Sequence, residues 1–439
     1  MLRAMLLSAA AFAKTEGILD RAVRYNPLLG ARVARALAQA KAHPTRGPLE
    51  SLRDNLAMCT VRAAHGSRYG RGRAGRIEDW PLLDKATVRV KPEEFVSRST
   101  WIKLPSSTGG TTGTPLKLWR SLECIVAEQM FIDTLLAPYG FSMRNSRVAV
   151  LRGDKVKDQN NLAPPFGRVS HGGKRLTLSS AHLTPQSLPW FEAALRDFAP
   201  EVLWVYPSAA LNLLTLVQKA GIDLHIPVIL ASSEMLPAPL HTALADCFRS
   251  QIVNYYGQAE RLCLAYSTKP NEFFFHPAYG QVELIPQEGD AETAAIVATN
   301  YWNLAMPLLR YQTGDLAQLP PGSSPRELVE ISLGMRAFPG IQGREGEYLI
   351  TRDGMRIIGL NQIPREILHV YQLQLVQTDP ENLYINVAAM PGYGPEDAAH
   401  ILENARIKIP ASIKIQVRGV QSLIVNARGK ALFVVREFD

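Results

Sequence analysis

Residues 201–232, EVLWVYPSAALNLLTLVQKAGIDLHIPVILAS, carry the pattern that decides the fold. Two short runs rich in Val, Ile and Leu, at 202–205 and 228–231, flank a longer run with apolar residues at helical spacing. Short apolar runs indicate buried strands, and a strand–helix–strand unit indicates parallel neighbours in one sheet with a helix on its face. The stretch therefore predicts an α/β fold.

The same alternation extends in both directions, from about residue 145 to residue 300. Further strands are predicted at RVAVLRG (147–153) and QIVNYYG (251–257), and further helices at LPWFEAALRDF (188–198) and APLHTALADCF (238–248). Two later runs, GQVELIP (280–286) and AAIVATNY (294–301), follow each other without a helix between them. That order predicts an antiparallel pair.

A break near PGIQGREGEYLITRDG (339–354) divides the sequence into two units. Beyond it, a predicted helix at PREILHVY (364–371) is followed by strands, a second helix and further strands. We therefore expect a large N-terminal domain at 1–342, with a helical segment over 1–100. A hinge is expected at 343–347, and a small α+β domain at 348–439.

Composition narrows the class of protein. Of the 439 residues, 46% are apolar and 20% are charged, which is typical of a globular protein with a sizeable core. Part of the net charge of +8 comes from RYGRGRAGR (68–76), which resembles an RG-rich RNA-binding segment. Because Tyr69 alone offers an aromatic ring for base stacking, a solvated loop is favoured and no nucleic-acid partner is expected.

The N-terminus permits two interpretations. MLRAMLLSAAAFAK (1–14) loosely has the composition of a secretion signal, but the amphipathic pattern continues over 17–40, which favours a soluble helical hairpin. No apolar run approaches the ~20 residues of a membrane span. The cysteines, Cys59, Cys124, Cys247 and Cys263, lie far apart and are predicted to be free thiols. We expect a cytoplasmic protein.

The segment SSTGGTTGTPLKL (106–118) is rich in glycine and hydroxyl residues. Glycine lets the backbone approach a ligand closely, and backbone N–H and hydroxyl groups can donate hydrogen bonds to an anion. The Gly-Lys-Ser/Thr ending of a P-loop is missing. Taken alone, the segment is either a phosphate-binding loop or a polar surface loop.

Four further segments carry polar residues where loops often have functional roles. They are NYYGQAE (254–260), MPLLRYQTGD (306–315), GREGE (343–347) and NARGK (426–430). Each also permits a structural interpretation when taken alone, such as a core aromatic for Tyr256 or a turn residue for Asp315. Their order and spacing together match one family.

The sequence resembles the adenylate-forming (acyl/aryl-AMP) ligase superfamily, in particular the phenylacetate–coenzyme A ligase branch and its relatives associated with capsule biosynthesis. YYGQAER (255–261) and AMPLLRYQTGD (305–315) are the most specific matches, and the similarity runs through most of the chain. The resemblance implies a large N-terminal adenylate-forming domain with mixed sheets and flanking helices, and a small mobile α+β C-terminal domain that acts as a lid. It also implies ATP- and Mg²⁺-dependent activation of an aryl or aliphatic carboxylic acid to acyl-AMP, release of pyrophosphate, and acyl transfer to coenzyme A.

The resemblance further implies a nucleotide site. Thr108, Gly110, Thr111, Thr112 and Gly113 would surround the ATP phosphates, and Lys117 would be the basic residue that some members carry after this loop. The adenine site would comprise Ser233, Glu234, Asn254, Tyr256 and Gly257. Asp315 would accept hydrogen bonds from the ribose hydroxyls, and Arg344 would steady the ribose or the phosphates near the hinge.

The implied catalytic groups are Glu260, which would hold Mg²⁺, and Lys430, which would bridge the substrate carboxylate and the α-phosphate. Cations are needed where a carboxylate attacks a polyphosphate, because the two reactants repel each other. Transfer to the nucleophile then requires the Lys430 side of the site to withdraw, which a hinged small domain allows.

Candidate residues for the acid are Tyr206, at the end of its predicted strand, and His182 in SSAHL (179–183). His182 also permits interpretation as a hydrogen-bonded structural histidine. Relatives with a Cys/His cluster raise the question of zinc, but Cys263 and His276 alone do not make a structural zinc site, and none is predicted.

Some positions depart from the family pattern. Gly109 stands where many relatives have serine, and Ala259 replaces the usual Thr or Ser before Glu260. In the hinge, Gly346 and Glu347 stand where relatives have paired aspartates. Other outcomes therefore stay open: transfer to an amine or a carrier-protein thiol, AMP transfer to a non-carboxylate cofactor by a nucleotidyltransferase, or a non-catalytic nucleotide-binding protein. A homodimer is also considered.

Overall fold

The computed structural model describes residues 22–107, 116–152, 154, 156–158, 160–287, 290–344, 348–352, 356, 357, 360, 363, 364, 367, 369–425 and 431–438. The predicted phosphate-binding residues 108–113, the hinge positions 345–347 and Lys430 lie outside the described residues, as does the first part of the predicted helical hairpin, residues 1–21. The side chain of Arg344 also lies outside them.

The described α-helices are α1 Pro27–Ala42, α2 Arg46–His65, α3 Lys85–Val90, α4 Leu122–Leu136, α5 Leu188–Phe198, α6 Pro207–Ala220, α7 Ala238–Phe248, α8 Pro325–Ser332 and α9 Pro395–Lys408. Helix α1 begins where the sequence favours it, because the Asn26 side chain accepts hydrogen bonds from the backbone N–H groups of Leu28 and Leu29 and Pro27 occupies the first turn. The predictions for α5, α6 and α7 are confirmed.

Within the described residues, eight strands form the main sheet: β3 Val148–Leu151, β4 Gly167–Ser170, β5 Arg175–Leu178, β6 Val202–Val205, β7 Val228–Ser232, β8 Gln251–Gly257, β9 Leu264–Lys269 and β10 Glu272–Phe275. Their order in the sheet is β10-β9-β8-β7-β6-β3-β5-β4. Strands β3, β5, β6, β7 and β8 run parallel, and the flanking pairs are antiparallel. The mixed α/β fold and its central parallel strands are therefore confirmed.

A second sheet packs beside this one. It contains β11 Gly280–Gln287, β12 Asp290–Asn300, β13 Tyr311–Gln318 and β14 Gly340–Arg344, all paired antiparallel. The antiparallel prediction for 280–286 and 294–301 is confirmed. Separately, β1 Leu104–Ser107 and β2 Lys117–Arg120 pair antiparallel on either side of the predicted phosphate-binding residues.

The C-terminal part is built on a smaller sheet of β17 Val370–Asp379, β18 Asn382–Ala389, β19 Lys414–Gly419 and β20 Val434–Arg436, in the order β19-β18-β17-β20. A short ladder joins β15 Leu349–Ile350 to β16 Arg356–Ile357. The helix predicted at 364–371 is wrong at its end, because Val370 and Tyr371 begin β17, where Val370 pairs with Ala389. Tertiary pairing here outweighs the helical spacing of the sequence.

The small sheet contacts the helices that cover one face of the main sheet. Tyr371, Ala388, Leu423 and Ala431 belong to the same buried cluster as the apolar sides of α5, α6 and α7. A separate cluster, formed by residues from Leu349 to Ile413, is the core between the small sheet and α9. Among the described residues, no helix combines the length and the hydropathy that crossing a membrane would need.

Candidate active site

The parallel strands of the main sheet end at a common edge, and most predicted site residues that the structure describes follow those ends. His182 follows β5, Tyr206 follows β6, and Ser233 and Glu234 follow β7; Tyr256 and Gly257 end β8, and Glu260 lies in the turn after it. Arg152, which was not predicted, follows β3. Ligands of open α/β sheets bind outside the carboxyl ends of the strands. The fold thus gathers residues that are separated by more than one hundred positions in the sequence.

The side chains of strand β8 lie alternately on the two faces of the main sheet. Asn254 and Tyr256 point to one face of the sheet and Tyr255 to the other, because successive side chains of a strand alternate. Asn254 is buried, whereas Tyr256 is partly exposed and Gly257 is exposed at the end of the strand. The Tyr256 ring therefore lies at the edge of the sheet, and the Asn254 amide is buried on the same face.

The Tyr256 hydroxyl donates a hydrogen bond to Oδ2 of Asp315, at 2.6 Å. Asp315 lies on β13 and Tyr256 on β8, so this bond joins the two sheets. Burial, followed by the nearby carboxylate, raises the pKa of Tyr256 well above its ordinary value. The phenol is therefore the donor and the Asp315 carboxylate the acceptor.

Asp315 is also placed by its own strand. Its backbone N–H donates to Oγ1 of Thr313 at 3.1 Å, and Gly314 between them adopts a left-handed conformation with φ of 76°. In the ladder between β13 and β14, Asp315 is the Cα partner of Arg344. The predicted ribose-binding residue and the predicted hinge-side arginine are therefore neighbours in the backbone.

Glu260 is a buried carboxylate, only 5% exposed, at the turn after β8. The Tyr311 hydroxyl donates to its Oε1 at 3.4 Å, and Nζ of Lys85 lies 3.7 Å from the same oxygen. Lys85 is positioned because Leu83, two residues earlier, exchanges backbone hydrogen bonds with Arg310 and Gln312 beside the start of β13. These bonds connect residues 80–85 to the motif around Asp315.

The turn that carries Glu260 is held by a buried ion pair. Arg261 adopts a left-handed φ of 59° and pairs with Glu128 on α4, and Glu128 also accepts a hydrogen bond from the Tyr279 hydroxyl. Burial opposes the charge on Arg261, but the Glu128 carboxylate raises the pKa of the guanidinium overall. A non-glycine residue with positive φ persists only where its surroundings fix it, as they do here.

A second arginine approaches the same turn. Nη2 of Arg120, the last residue of β2, donates to the backbone oxygen of Ala259 at 2.9 Å. Its Nε is buried and has no hydrogen-bond partner among the described residues. Burial, then repulsion from Arg261, lowers the pKa of Arg120. Lys85 and Arg120 thus place two cationic side chains at the turn that carries Glu260, and neither was predicted as a site residue.

Ser233 and Glu234 lie at the end of β7. Ser233 is exposed and has a left-handed φ of 71°. The Glu234 carboxylate accepts hydrogen bonds from the backbone N–H of Ser208 at 2.8 Å and from its hydroxyl at 3.0 Å, in the first turn of α6. It also accepts one from the backbone N–H of Ala431 at 2.6 Å. The edge of the main sheet is therefore in direct contact with the C-terminal part.

The candidate acid-binding residues occupy the other side of this edge. Tyr206 precedes α6, and the Arg152 guanidinium carbon lies 3.6 Å from the ring centroid of Trp204 and 5.8 Å from that of Tyr206. Nε of Arg152 is buried without a hydrogen-bond partner among the described residues. Arg152 was missed because a lone arginine after a strand has no motif to mark it.

His182 is buried and has the contacts of a hydrogen-bonded structural histidine. Its Nδ1 lies 2.7 Å from Oγ of Ser179, and its ring stacks on Phe166 with centroids 5.3 Å apart. Its Nε2 is buried without a partner among the described residues. The ring belongs to an aromatic cluster, and its role toward a substrate stays a prediction.

Lys117 lies apart from these groups, as an exposed residue at the start of β2, opposite Ser107 of β1. Its predicted phosphate contact stays a prediction, as do those of the residues at 108–113 that the structure does not describe. Among the described residues, no group of three or more His, Cys, Asp or Glu side chains is suited to hold a metal ion.

No family model matches the chain. Protein CapK of Staphylococcus aureus is 22% identical over 317 residues, which are 70% of this chain and 68% of that protein. Indoleacetate–lysine synthetase of Pseudomonas savastanoi is 23% identical over 81% of this chain and 89% of its own length. Phenylacetate–coenzyme A ligase of Pseudomonas putida is 27% identical over 51% and 52%.

Among solved structures, a 2-hydroxyisobutyryl-CoA ligase in complex with 2-HIB-AMP has a TM-score of 0.53 over 88% of this chain and 89% of its own, at 12% identity. That likeness concerns the fold, whereas the relatives share sequence through most of the chain. The chain is thus similar in sequence to the phenylacetate–coenzyme A ligases, indoleacetate–lysine synthetase and protein CapK, which are adenylate-forming ligases, and it shares its fold with an acyl-CoA ligase.

Proposed function

We propose that this protein activates a carboxylic acid with ATP to acyl-AMP, releases pyrophosphate, and transfers the acyl group to coenzyme A. The observation that carries the proposal is the Tyr256–Asp315 hydrogen bond of 2.6 Å, which brings the two most specific motifs to the carboxyl edge of the parallel sheet. Glu260 lies in the turn that follows Tyr256, with Lys85 beside it. A nucleotide and a charged reaction centre would then lie side by side.

For the nucleotide, adenine would bind against the Tyr256 ring, near Asn254, Gly257 and the end of β7. The ribose hydroxyls would donate to Asp315, whose carboxylate can accept from them as well as from Tyr256. Arg344, its backbone neighbour, would contact the ribose or the phosphates. The triphosphate would extend toward residues 108–113 and Lys117.

Magnesium would be held by Glu260. The described site offers one carboxylate rather than a cage, and Mg²⁺ in ATP-dependent enzymes is commonly bound by one or two carboxylates together with substrate phosphates. Glu260, which is buried, would supply that carboxylate. The ion would neutralise negative charge on the phosphates, and Glu260 would fix where it binds.

In the first step, an oxygen of the acid carboxylate attacks the α-phosphorus of ATP. The bond to the β-phosphate oxygen breaks, and pyrophosphate leaves with its electron pair. Lys430 would lie against both the carboxylate and the α-phosphate, and preorganised positive charge of this kind lowers the barrier for reactants that repel each other.

In the second step, the coenzyme A thiolate attacks the acyl carbonyl, the bond to the phosphate oxygen breaks, and AMP leaves. For this step we propose that the small domain at 348–439 moves about a hinge at 343–347 and takes Lys430 away from the site. The large domain at 1–342 would keep AMP and the acyl group in place.

The acid would bind beside Tyr206, at the ends of β3 and β6. Trp204 and Tyr206 provide aromatic surface there, and Arg152 provides a cation stacked on that surface. His182 would form the far wall through the aromatic cluster around Phe166. An aryl or medium-length aliphatic acid suits such a pocket.

A second acceptor has an observation in its favour. The similarity to indoleacetate–lysine synthetase covers 81% of this chain and 89% of that protein, a larger share than for the phenylacetate–coenzyme A ligases. The name of that relative describes acyl transfer to an amine. An amine nucleophile would attack the same carbonyl, so the first step would be unchanged.

The test is pyrophosphate–ATP exchange with benzoic, phenylacetic, indole-3-acetic and hexanoic acids, followed by product analysis with coenzyme A or L-lysine. Acid-dependent exchange with thioester formation supports the proposal, and amide formation supports the second candidate. ATP binding without exchange for any acid contradicts both. AMP attached to an added non-carboxylate cofactor would instead indicate a nucleotidyltransferase.

A further inference from the structure

One side chain of the small sheet holds two residues that flank positions 426–430 in the sequence. Gln374 on β17 is completely buried, and its Nε2 donates to the backbone oxygens of Ile424 and Leu432, each at 2.8 Å. Its Oε1 accepts from the backbone N–H of Ile424 at 3.0 Å and from Asn386 at 3.2 Å. All hydrogen-bonding positions of the amide are used, so Ile424 and Leu432 are fixed relative to β17.

The residue directly after Lys430 is held from the large domain. The backbone N–H of Ala431 donates to Oε1 of Glu234 at 2.6 Å. The carboxylate that accepts it is itself fixed by Ser208 in the first turn of α6, through the backbone N–H and the hydroxyl. The first N–H groups of a helix lack partners within the helix, and the positive end of its dipole favours an anion there.

These contacts differ from the rest of the interface between the two parts. Elsewhere it consists largely of apolar packing of Tyr371, Ala388 and Leu423 against the helices, together with a hydrogen bond of 3.4 Å from the Tyr371 hydroxyl to Gln218. The bond from Ala431 to Glu234 is shorter and involves a charge, and charge-assisted hydrogen bonds are the stronger kind. It is also adjacent in sequence to the proposed catalytic lysine.

We infer that Glu234 is a positioning residue for acyl-AMP formation, which holds the backbone beside Lys430 against the edge of the main sheet. This inference rests on the proposed function. Because Lys430 is needed in the first step and withdraws in the second, the bond from Ala431 to Glu234 belongs to the first step alone. Glu234 would then act through the small domain rather than by touching the adenine.

The role of Glu234 is tested by measuring the two half-reactions separately. Pyrophosphate–ATP exchange is measured with the acid of the panel above that reacts fastest, and acyl transfer is measured from the chemically prepared acyl-AMP of that acid. Glu234→Ala should lower kcat for pyrophosphate–ATP exchange at least tenfold and leave the KM for ATP within twofold. Formation of thioester or amide from supplied acyl-AMP should stay within twofold of wild type or rise. Glu234→Gln, which keeps one acceptor oxygen, should fall between wild type and Glu234→Ala.

Tyr371→Phe is the matched control, because it removes a hydrogen bond from the same interface away from Lys430. It should leave both half-reactions within twofold of wild type. If Glu234→Ala slows both half-reactions alike, or raises the KM for ATP at unchanged kcat, Glu234 does not act by positioning Lys430. The second of those results would indicate an adenine contact.

A readout without substrates separates this inference from the proposed function. Glu234→Ala should speed hydrogen–deuterium exchange of the Ala431 amide, while Tyr371→Phe should not. Unchanged Ala431 exchange in Glu234→Ala overturns the inference even if the enzyme is an active ligase. If Glu234→Ala speeds hydrogen–deuterium exchange at Ala431 while the wild-type protein catalyses no pyrophosphate–ATP exchange, the contact exists, but its proposed role in catalysis is wrong.

Discussion

Tyr256 and Asp315 join the eight-stranded sheet to the second, antiparallel sheet through one hydrogen bond, 2.6 Å from the phenol oxygen to Oδ2. They are 59 positions apart in the sequence, and each belongs to one of the two most specific motifs. The bond brings together an aromatic ring near the end of β8 and a carboxylate within β13. A nucleoside needs this pair: a flat surface for the base and an acceptor for the ribose.

Substitutions at the two residues should separate these roles. Asp315→Asn should weaken ATP binding about 10- to 100-fold, because hydrogen bonds to a charged group contribute about 1.5–3 kcal/mol. Tyr256→Phe keeps the ring and should affect ATP affinity less, while lowering the free energy of unfolding by about 1–2 kcal/mol. Titration calorimetry and urea denaturation measure the two effects. Unchanged ATP affinity in Asp315→Asn would refute the ribose assignment.

Glu260→Gln tests the proposed magnesium site. The substitution removes the buried negative charge while keeping the size of the side chain, so the Mg²⁺ concentration for half-maximal exchange should rise at least tenfold. Binding of ATP in the absence of divalent cations should change much less. Glu272→Gln, at a partly exposed carboxylate that pairs with Lys269, serves as the control. Equal magnesium dependence in wild type and Glu260→Gln would contradict the assignment.

The ion pair between Arg261 and Glu128 should dominate the stability of the Glu260 turn. Glu128→Gln leaves a buried guanidinium without its counter-charge, which costs about 3–5 kcal/mol of folding free energy. The double variant Glu128→Leu with Arg261→Met should lose less, because both buried charges are then gone. Urea denaturation of wild type, Glu128→Leu, Arg261→Met and the double variant measures the coupling. Additive losses would show that the two residues act independently.

Asp133 gives the folding free energy a predictable pH dependence. Burial raises the pKa of this carboxyl on α4 from 3.8 to about 6, although its Oδ1 accepts a hydrogen bond from the backbone N–H of Met143 at 2.7 Å. The folded protein therefore holds the proton more tightly than the unfolded chain does. Stability should fall as the pH rises from about 4 to about 6.

Asp133→Asn removes this titration and keeps the oxygen that accepts from Met143. Its free energy of unfolding, relative to wild type, should increase by about 2 kcal/mol between pH 4 and pH 7. Urea denaturation at intervals of half a pH unit gives the comparison. A difference between the two proteins that does not change with pH would show that Asp133 titrates normally.

Much of the fold was predictable because it depends on local patterns. The short apolar runs at 202–205 and 228–231 became β6 and β7, with the predicted helix between them. The failure at 364–371 has a physical reason. Val370 and Tyr371 fit either a short amphipathic helix or a strand, and pairing with β18 decides between the two.

The candidate site was predictable where a motif marks it and not where only the fold creates it. Tyr256, Glu260 and Asp315 lie in recognisable motifs. Lys85 reaches Glu260 only because Leu83 is held against the start of β13, and Arg261 is fixed only because α4 carries Glu128 beneath it. The contact of Glu234 with Ala431, 197 positions away, follows from domain packing, which no local pattern encodes.

The central claim is that Lys430 joins the acid and ATP in acyl-AMP formation. The most direct measurement is acid-dependent pyrophosphate–ATP exchange by wild type, Lys430→Ala and Lys414→Ala, the last of which removes an exposed lysine from β19 of the same small sheet. The account predicts that Lys430→Ala loses at least 99% of the exchange rate, about 2.7 kcal/mol or more of transition-state stabilisation, while Lys414→Ala stays near wild type. Exchange at the wild-type rate in Lys430→Ala would contradict it.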